Sequence, residues 1–104
     1  MDEVILQVDG TSGDKELERN MAFLLKELFE CFKKKQKSYG PANISTFGEK
    51  GVVIRINDKL QRLISLVWYE KADPIDDETI SDTYLDLADY GLIAELVRRG
   101  VWPE

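Results

Sequence analysis

Glu78, Asp82, Asp86 and Asp89 stand at i, i+4, i+8 and i+11 in the segment Glu78-Thr-Ile-Ser-Asp82-Thr-Tyr-Leu-Asp86-Leu-Ala-Asp89. On an α-helix that spacing lays all four carboxylates along one face. Stacked like charges destabilise a helix by about 0.2–0.5 kcal/mol per pair, so a fold that keeps this helix must set positive charge against the stripe. A bound divalent cation satisfies this condition, and so does a facing row of Lys and Arg. The chain contains such a row: Arg55, Lys59 and Arg62 stand at i, i+4 and i+7. The turn-forming stretch 71–77, with Pro74 at its centre, separates the two segments and predicts that they pack antiparallel. Arg62, Lys59 and Arg55 then run past Asp82, Asp86 and Asp89 in matching order. Read as an ion-pair ladder, each exposed pair contributes only about 0–1 kcal/mol. Read as a metal site, the clustered carboxylates suit a hard cation in octahedral oxygen coordination. The two readings are compatible, because a nucleotide site uses both metal-holding acids and phosphate-holding bases.

The rest of the chain is predicted to be helical around this pair. Leu17, Met21, Leu24, Leu25, Leu28 and Phe32 follow a 3.6-residue period and place a first helix over 14–37, closed by Lys33-Lys34-Lys35-Gln36-Lys37. A loop is expected over 38–51, where three Gly and one Pro fall. The second helix is expected over about 50–70, with Ile56, Leu60, Leu63, Ile64 and Val67 as its apolar face. The third runs over about 77–99, capped by Asp76 or Asp77, with Ile80, Tyr84, Leu87, Gly91 and Ala94 lining one side. Leu85, Leu92 and Leu96 widen that side, and Gly100 is its stop. Val4, Leu6 and Val8 alternate in residues 1–13, which read as a short strand or an ordered arm. At 104 residues this is a single domain of 1–104. The expected fold is all-α, an antiparallel bundle of three main helices. Three helices leave apolar faces over, so a homo-oligomer, dimer or tetramer, is expected to complete it.

Composition removes several classes of chemistry. The chain has no His, which excludes His-dependent nucleophilic catalysis and His-ligated zinc. A metal held here must be a hard cation on carboxylates, Mg²⁺ or Mn²⁺. The net charge of −6 opposes nonspecific binding to duplex nucleic acid, yet leaves room for a small nucleotide at a local basic cluster. Apolar runs are too short to span a membrane. The opening Met1-Asp2-Glu3 lacks the basic start of a secretory signal, so a cytoplasmic protein is expected. Cys31 has no partner for an intrachain disulfide and reads as a small packed hydrophobe.

Two further groups carry alternatives. Glu27 and Glu30 form an E-x-x-E pair on the first helix, either extra metal ligands or a solvated face with Glu30 paired to Lys34. Lys37, Tyr39 and Asn43 flank Gly40-Pro41. They supply a phosphate-binding cation, a stacking ring and an amide able to read a base or sugar, or else they simply mark a helix end.

Lys37-Ser-Tyr39-Gly40, then Arg55-x-x-Asp58-Lys59-x-x-Arg62-Leu63, then Asp82-Thr-Tyr-Leu-Asp86-Leu-Ala-Asp89-Tyr90 resembles the family called nucleotide modification associated domain 1, from about residue 24 to 97. That family is similar to the all-α NTP pyrophosphatases, the MazG and dimeric dUTPase group. The resemblance implies a MazG-like helical oligomer that uses Mg²⁺ to cleave a (deoxy)nucleoside triphosphate to a monophosphate and pyrophosphate. It implies Asp82, Asp86 and Asp89, with Glu30, as metal ligands and Asp58 with Asp86 as catalytic carboxylates. Arg55, Lys59, Arg62, Lys37, Tyr39 and Asn43 become substrate contacts. Asp86-x-x-Asp89 has the spacing of the superfamily's E-x-x-D with Asp for Glu. Its E-x-x-E is matched in spacing by Glu27-x-x-Glu30, whereas the second helix offers Asp58 with Gln61 where the other acid would fall. The alternative expectation is a non-catalytic nucleotide-binding or helical oligomerisation module whose acid stripe is salt-bridged.

Overall fold

A computed structural model describes residues 3–71 and 79–103. The protein is all-helical, with no strand among the described residues. Its helices are α1 (Lys15–Tyr39), α2 (Ala42–Ser45), α3 (Gly48–Leu63) and α4 (Ile80–Arg98), with a π-helical turn, Ile64–Trp68, directly after α3. The chain forms two compact units, Met1–Lys35 and Gln36–Glu104. No described helix is long and apolar enough to cross a membrane.

The first unit is an arm and most of α1. The arm is not a strand. It ends in a turn at 10–12 that is gathered onto one side chain of α1. Glu18 accepts hydrogen bonds from the backbone N–H groups of Asp9, Gly10 and Ser12 and from the Ser12 hydroxyl. Asp14 caps the helix by accepting from the Leu17 N–H at 2.9 Å. These bonds to the ionised form hold the Glu18 carboxyl below its usual range, the Ser12 hydroxyl contributing most. A lowered folded-state pKa stabilises the turn above the ordinary carboxylate pKa, and that contribution is lost as pH falls through the lowered value. The amide resonances of Gly10 and Ser12 should therefore hold their positions through the ordinary carboxylate range and move together only on further acidification, a titration readable by NMR.

In this unit only Leu28 of the predicted apolar stripe is buried; Leu17, Met21, Leu24 and Leu25 are exposed and Phe32 is half-buried. Cys31, expected to be packed, is exposed on the same uncovered helix.

The second unit is built on the α3–α4 pair. Glu49 meets Arg98, Arg55 meets Tyr90, Lys59 meets Asp86 and Arg62 meets Thr83. Steps forward along α3 are matched by steps back along α4, so the two helices are antiparallel, as the turn composition predicted. Val52 and Leu63 on α3 and Ile93 on α4 are the buried apolar residues of this pair, joined by Ile44 of α2. The buried face of α4 is not the apolar one expected from the sequence: Ile80, Tyr84, Gly91 and Leu92 are exposed, while Thr83 and Asp89 are buried.

Helix boundaries shift in physically legible ways. The loop expected at 38–51 is largely helical, since α1 runs on to Tyr39, α2 forms at 42–45 and α3 starts at Gly48. Trp102 in the tail anchors α2 by donating from Nε1 to the Pro41 carbonyl at 3.1 Å. Thr79, rather than an Asp, caps α4. Its hydroxyl accepts from the Asp82 N–H at 3.0 Å, and the Asp82 carboxylate accepts from the Thr79 N–H at 3.3 Å. The expected caps Asp76 and Asp77 and the stripe residue Glu78 lie outside the described residues. Gly100 stops α4 at φ +73°, a conformation costly for a residue with a Cβ.

Candidate functional site

The α3–α4 seam brings together most of the charged residues singled out in the sequence. Lys59 Nζ lies 3.0 Å from Asp86 Oδ2, with both side chains about four-fifths buried (20% and 22% exposed). One turn toward the end of α3, Arg62 Nε donates to Thr83 Oγ1 at 3.1 Å. The Thr83 hydroxyl in turn donates to the Thr79 carbonyl at 3.0 Å, so the buried threonine satisfies both its lone pair and its proton. One turn the other way, the Arg55 guanidinium lies over the Tyr90 ring, 5.9 Å from its centroid, a cation–π geometry.

The register therefore differs from the expected ladder at both ends. Lys59–Asp86 is present as read, but Thr83 and Tyr90 stand at the ends where Asp82 and Asp89 were expected. Asp82 faces back along its own helix into the capping box. Asp89 is buried, with 7% of its surface exposed. Asp58 is exposed on α3 beside Lys59. Sequence spacing alone could not find Thr83 and Tyr90, because neither carries the charge that marked the stripe.

Glu30 belongs to the first unit, where it pairs with Lys33 at 2.9 Å rather than with Lys34. The hydrogen bond from Lys33, followed by its charge, holds the Glu30 carboxyl below its usual range. Lys37 and Tyr39 are exposed on the last turn of α1. Asn43 and Arg55 both line a cavity of about 460 Å³ between α2 and α3, together with Ile44, Phe47, Lys50, Gly51, Val52 and Ile54. Phe47 and Lys50 had no place in the sequence reading because residues 38–51 read as a loop. Once α3 is known to begin at Gly48, Phe47, Gly51 and Arg55 fall at i, i+4 and i+8 on one face.

Whether these residues fit Mg²⁺ follows from the same geometry. Among the described residues no three acidic side chains converge on one point. Asp86 and Asp89, one turn apart on α4, supply two carboxylates, and Mg²⁺ is commonly held by one or two carboxylates plus substrate phosphates. Two carboxylates, one of them already paired with Lys59, would leave the other positions of such a cation to water or to a polyphosphate. Comparison of the chain with protein-family models, with curated proteins and with solved structures finds no match in any of the three.

Proposed function

We propose that the second unit is a Mg²⁺-dependent nucleoside triphosphate pyrophosphohydrolase, acting on a (deoxy)nucleotide of the cytoplasmic pool. The observation that carries this reading is the seam. Three cations at successive turns of α3 face Asp86, Thr83 and Tyr90 of α4, and the first of them, Arg55, also lines a cavity. In this reading Asp86 and Asp89 would hold Mg²⁺, while Lys59 and Arg62 neutralise phosphate oxygens. Mg²⁺, when bound, supplies charge stabilisation to the phosphoryl oxygens. Asp58 takes the proton of the attacking water as the water oxygen bonds to the α-phosphorus. The bond from that phosphorus to the bridging oxygen breaks, and pyrophosphate leaves with the electron pair.

A second reading, a nucleotide-binding module without catalysis, is favoured by the Asp82 capping box and by the neutralisation of Asp86 by Lys59. Incubation with a panel of ribo- and deoxynucleoside triphosphates in Mg²⁺, assayed for pyrophosphate, separates the two. Release from at least one nucleotide supports the enzyme. Binding by calorimetry without release supports the module. Neither release nor binding removes both.

The first unit supports self-association. Val4, Ile5, Leu6, Leu17, Met21, Phe23, Leu24 and Phe29 expose about half or more of their surface. At on the order of 100 Å² each, they approach the ~800 Å² per partner of a standard interface. Asp9, Asp14, Glu16 and Glu18 gather toward one end of this surface and Lys33, Lys34 and Lys35 toward the other, so an antiparallel second copy is charge-complementary. Sedimentation equilibrium should show a dimer or larger, and Met21→Glu with Leu24→Glu should weaken it at least tenfold while helical circular dichroism persists.

A further inference from the structure

We propose that the cavity between α2 and α3 is a nucleobase pocket, with Phe47 as its stacking platform and Asn43 as the group that reads the base edge. The proposal rests on the nucleotide reading above and assigns the part of the ligand that the charged seam cannot hold.

Phe47 is 73% exposed and lines the cavity, so a flat ligand seated there can reach its ring. Its place there is built by a neighbour. A Cβ at residue 51 would stand 2.6 Å from Phe47 Cβ, a distance real side chains do not tolerate, so glycine at 51 is what lets Phe47 lie against α3. The cavity volume, about 460 Å³, falls within the range of small-molecule sites. Its lining is mostly apolar, with Ile44, Val52 and Ile54, and its polar groups are Asn43, Lys50 and Arg55. This is the division a nucleotide requires. A planar base gains by stacking on an aromatic face, the Asn amide presents a donor and an acceptor to the base edge, and the cations meet phosphate.

The two ends are also in order. Phe47 and Arg55 are eight residues apart on one face of α3, about 12 Å of helix. Arg55 lies over Tyr90 and is followed one turn later by Lys59 against Asp86. A base on Phe47 therefore points its phosphate chain along α3, past Arg55, toward the seam. Tyr39, the ring the sequence offered either for stacking or as part of a helix end, is exposed on α1 and does not line this cavity.

The test is isothermal titration of the full chain in Mg²⁺ with the α,β-imido analogues of the four deoxynucleoside triphosphates and of ATP, which the proposed reaction cannot cleave, and with inorganic tripolyphosphate, which lacks a base. Wild type should bind at least one nucleotide more tightly than tripolyphosphate. Phe47→Ala should weaken that nucleotide about ten- to a hundredfold, leave tripolyphosphate unchanged, and be rescued by Phe47→Tyr. Gly51→Ala, which drives a methyl group into Phe47, should act in the same direction. Because Phe47 is exposed, loss of fold is not expected, and circular dichroism checks it. Nucleotide binding that is unchanged in Phe47→Ala, or no tighter than tripolyphosphate in wild type, overturns the pocket while leaving the phosphate-binding reading intact. If neither nucleotides nor tripolyphosphate bind wild type, the functional reading fails, and the pocket with it.

Discussion

Asp86→Asn should lower pyrophosphate release at least a hundredfold while nucleotide binding persists. The carboxylate sits where the α3 cations and the α4 acids meet, 3.0 Å from Lys59, so it is the acid best placed to share a divalent cation with phosphates. Charge stabilisation of that kind is worth several kcal/mol in the transition state, and each 1.4 kcal/mol is tenfold in rate. The amide keeps the shape of the side chain and an oxygen that accepts from Lys59, so the seam should survive at a cost on the order of 1–3 kcal/mol. The same variant discriminates the non-catalytic reading. If the seam only binds phosphate, removing a negative charge beside it should tighten nucleotide binding and leave no activity to lose. Lys59→Met should do the opposite, weakening phosphate binding and exposing Asp86 to repulsion. Steady-state kinetics and titration on the two variants, read together, decide between the assignments.

Much of the architecture was legible because helices announce themselves by period and by charge. The turn at 71–77 implied that α3 and α4 pack antiparallel, their basic and acid rows implied that they face each other, and Lys59–Asp86 is the pair that spacing named. The register was not legible to within a residue. A helix turns 100° per residue, so Asp82 and Thr83 are both compatible with a stripe drawn through Asp86, and only packing chooses between them. Here the N-terminal cap of α4 takes Asp82, which leaves the small hydroxyl of Thr83 to enter the interface and meet Arg62. The same competition hid the buried face of α4. Its apolar residues are spread around the helix, whereas Thr83, Asp86 and Tyr90 meet α3 and Asp89 is buried, so polar groups that a hydrophobic pattern does not select share the inward face. The cavity was hidden for a different reason. Gly and Pro at 40, 41, 48 and 51 read as a continuous loop, but Gly40 ends one helix, Gly48 opens another, and Gly51 lies within that second helix, making room for a ring. On α1 the period was read correctly, yet only Leu28 is covered. Periodicity shows which face is apolar and says nothing about what covers it.

Ile93→Ala should be the most destabilising single substitution in the second unit, by about 2–5 kcal/mol in urea titration. Ile93 is 3% exposed and is the buried apolar residue of α4 itself. Where one face of a helix packs through polar groups, the net stabilisation from each is small, because every hydrogen bond in the seam replaces one to water. Arg62–Thr83 and Lys59–Asp86 fix the register more than they drive the packing. The driving force must come from the few apolar contacts available, and truncating Ile93 removes three methyl or methylene groups at a site whose neighbours on α3 are held in place by the polar pairs on the same helix. Incomplete collapse around the resulting cavity places the cost above simple transfer. Thr83→Val tests the converse. It preserves volume and adds apolar character, but it leaves the Arg62 Nε–H without its hydroxyl acceptor, so it should destabilise by about 1–3 kcal/mol in spite of being the more hydrophobic side chain. A Thr83→Val protein more stable than wild type would show that the seam is held by burial alone and that Arg62 is positioned by some other group.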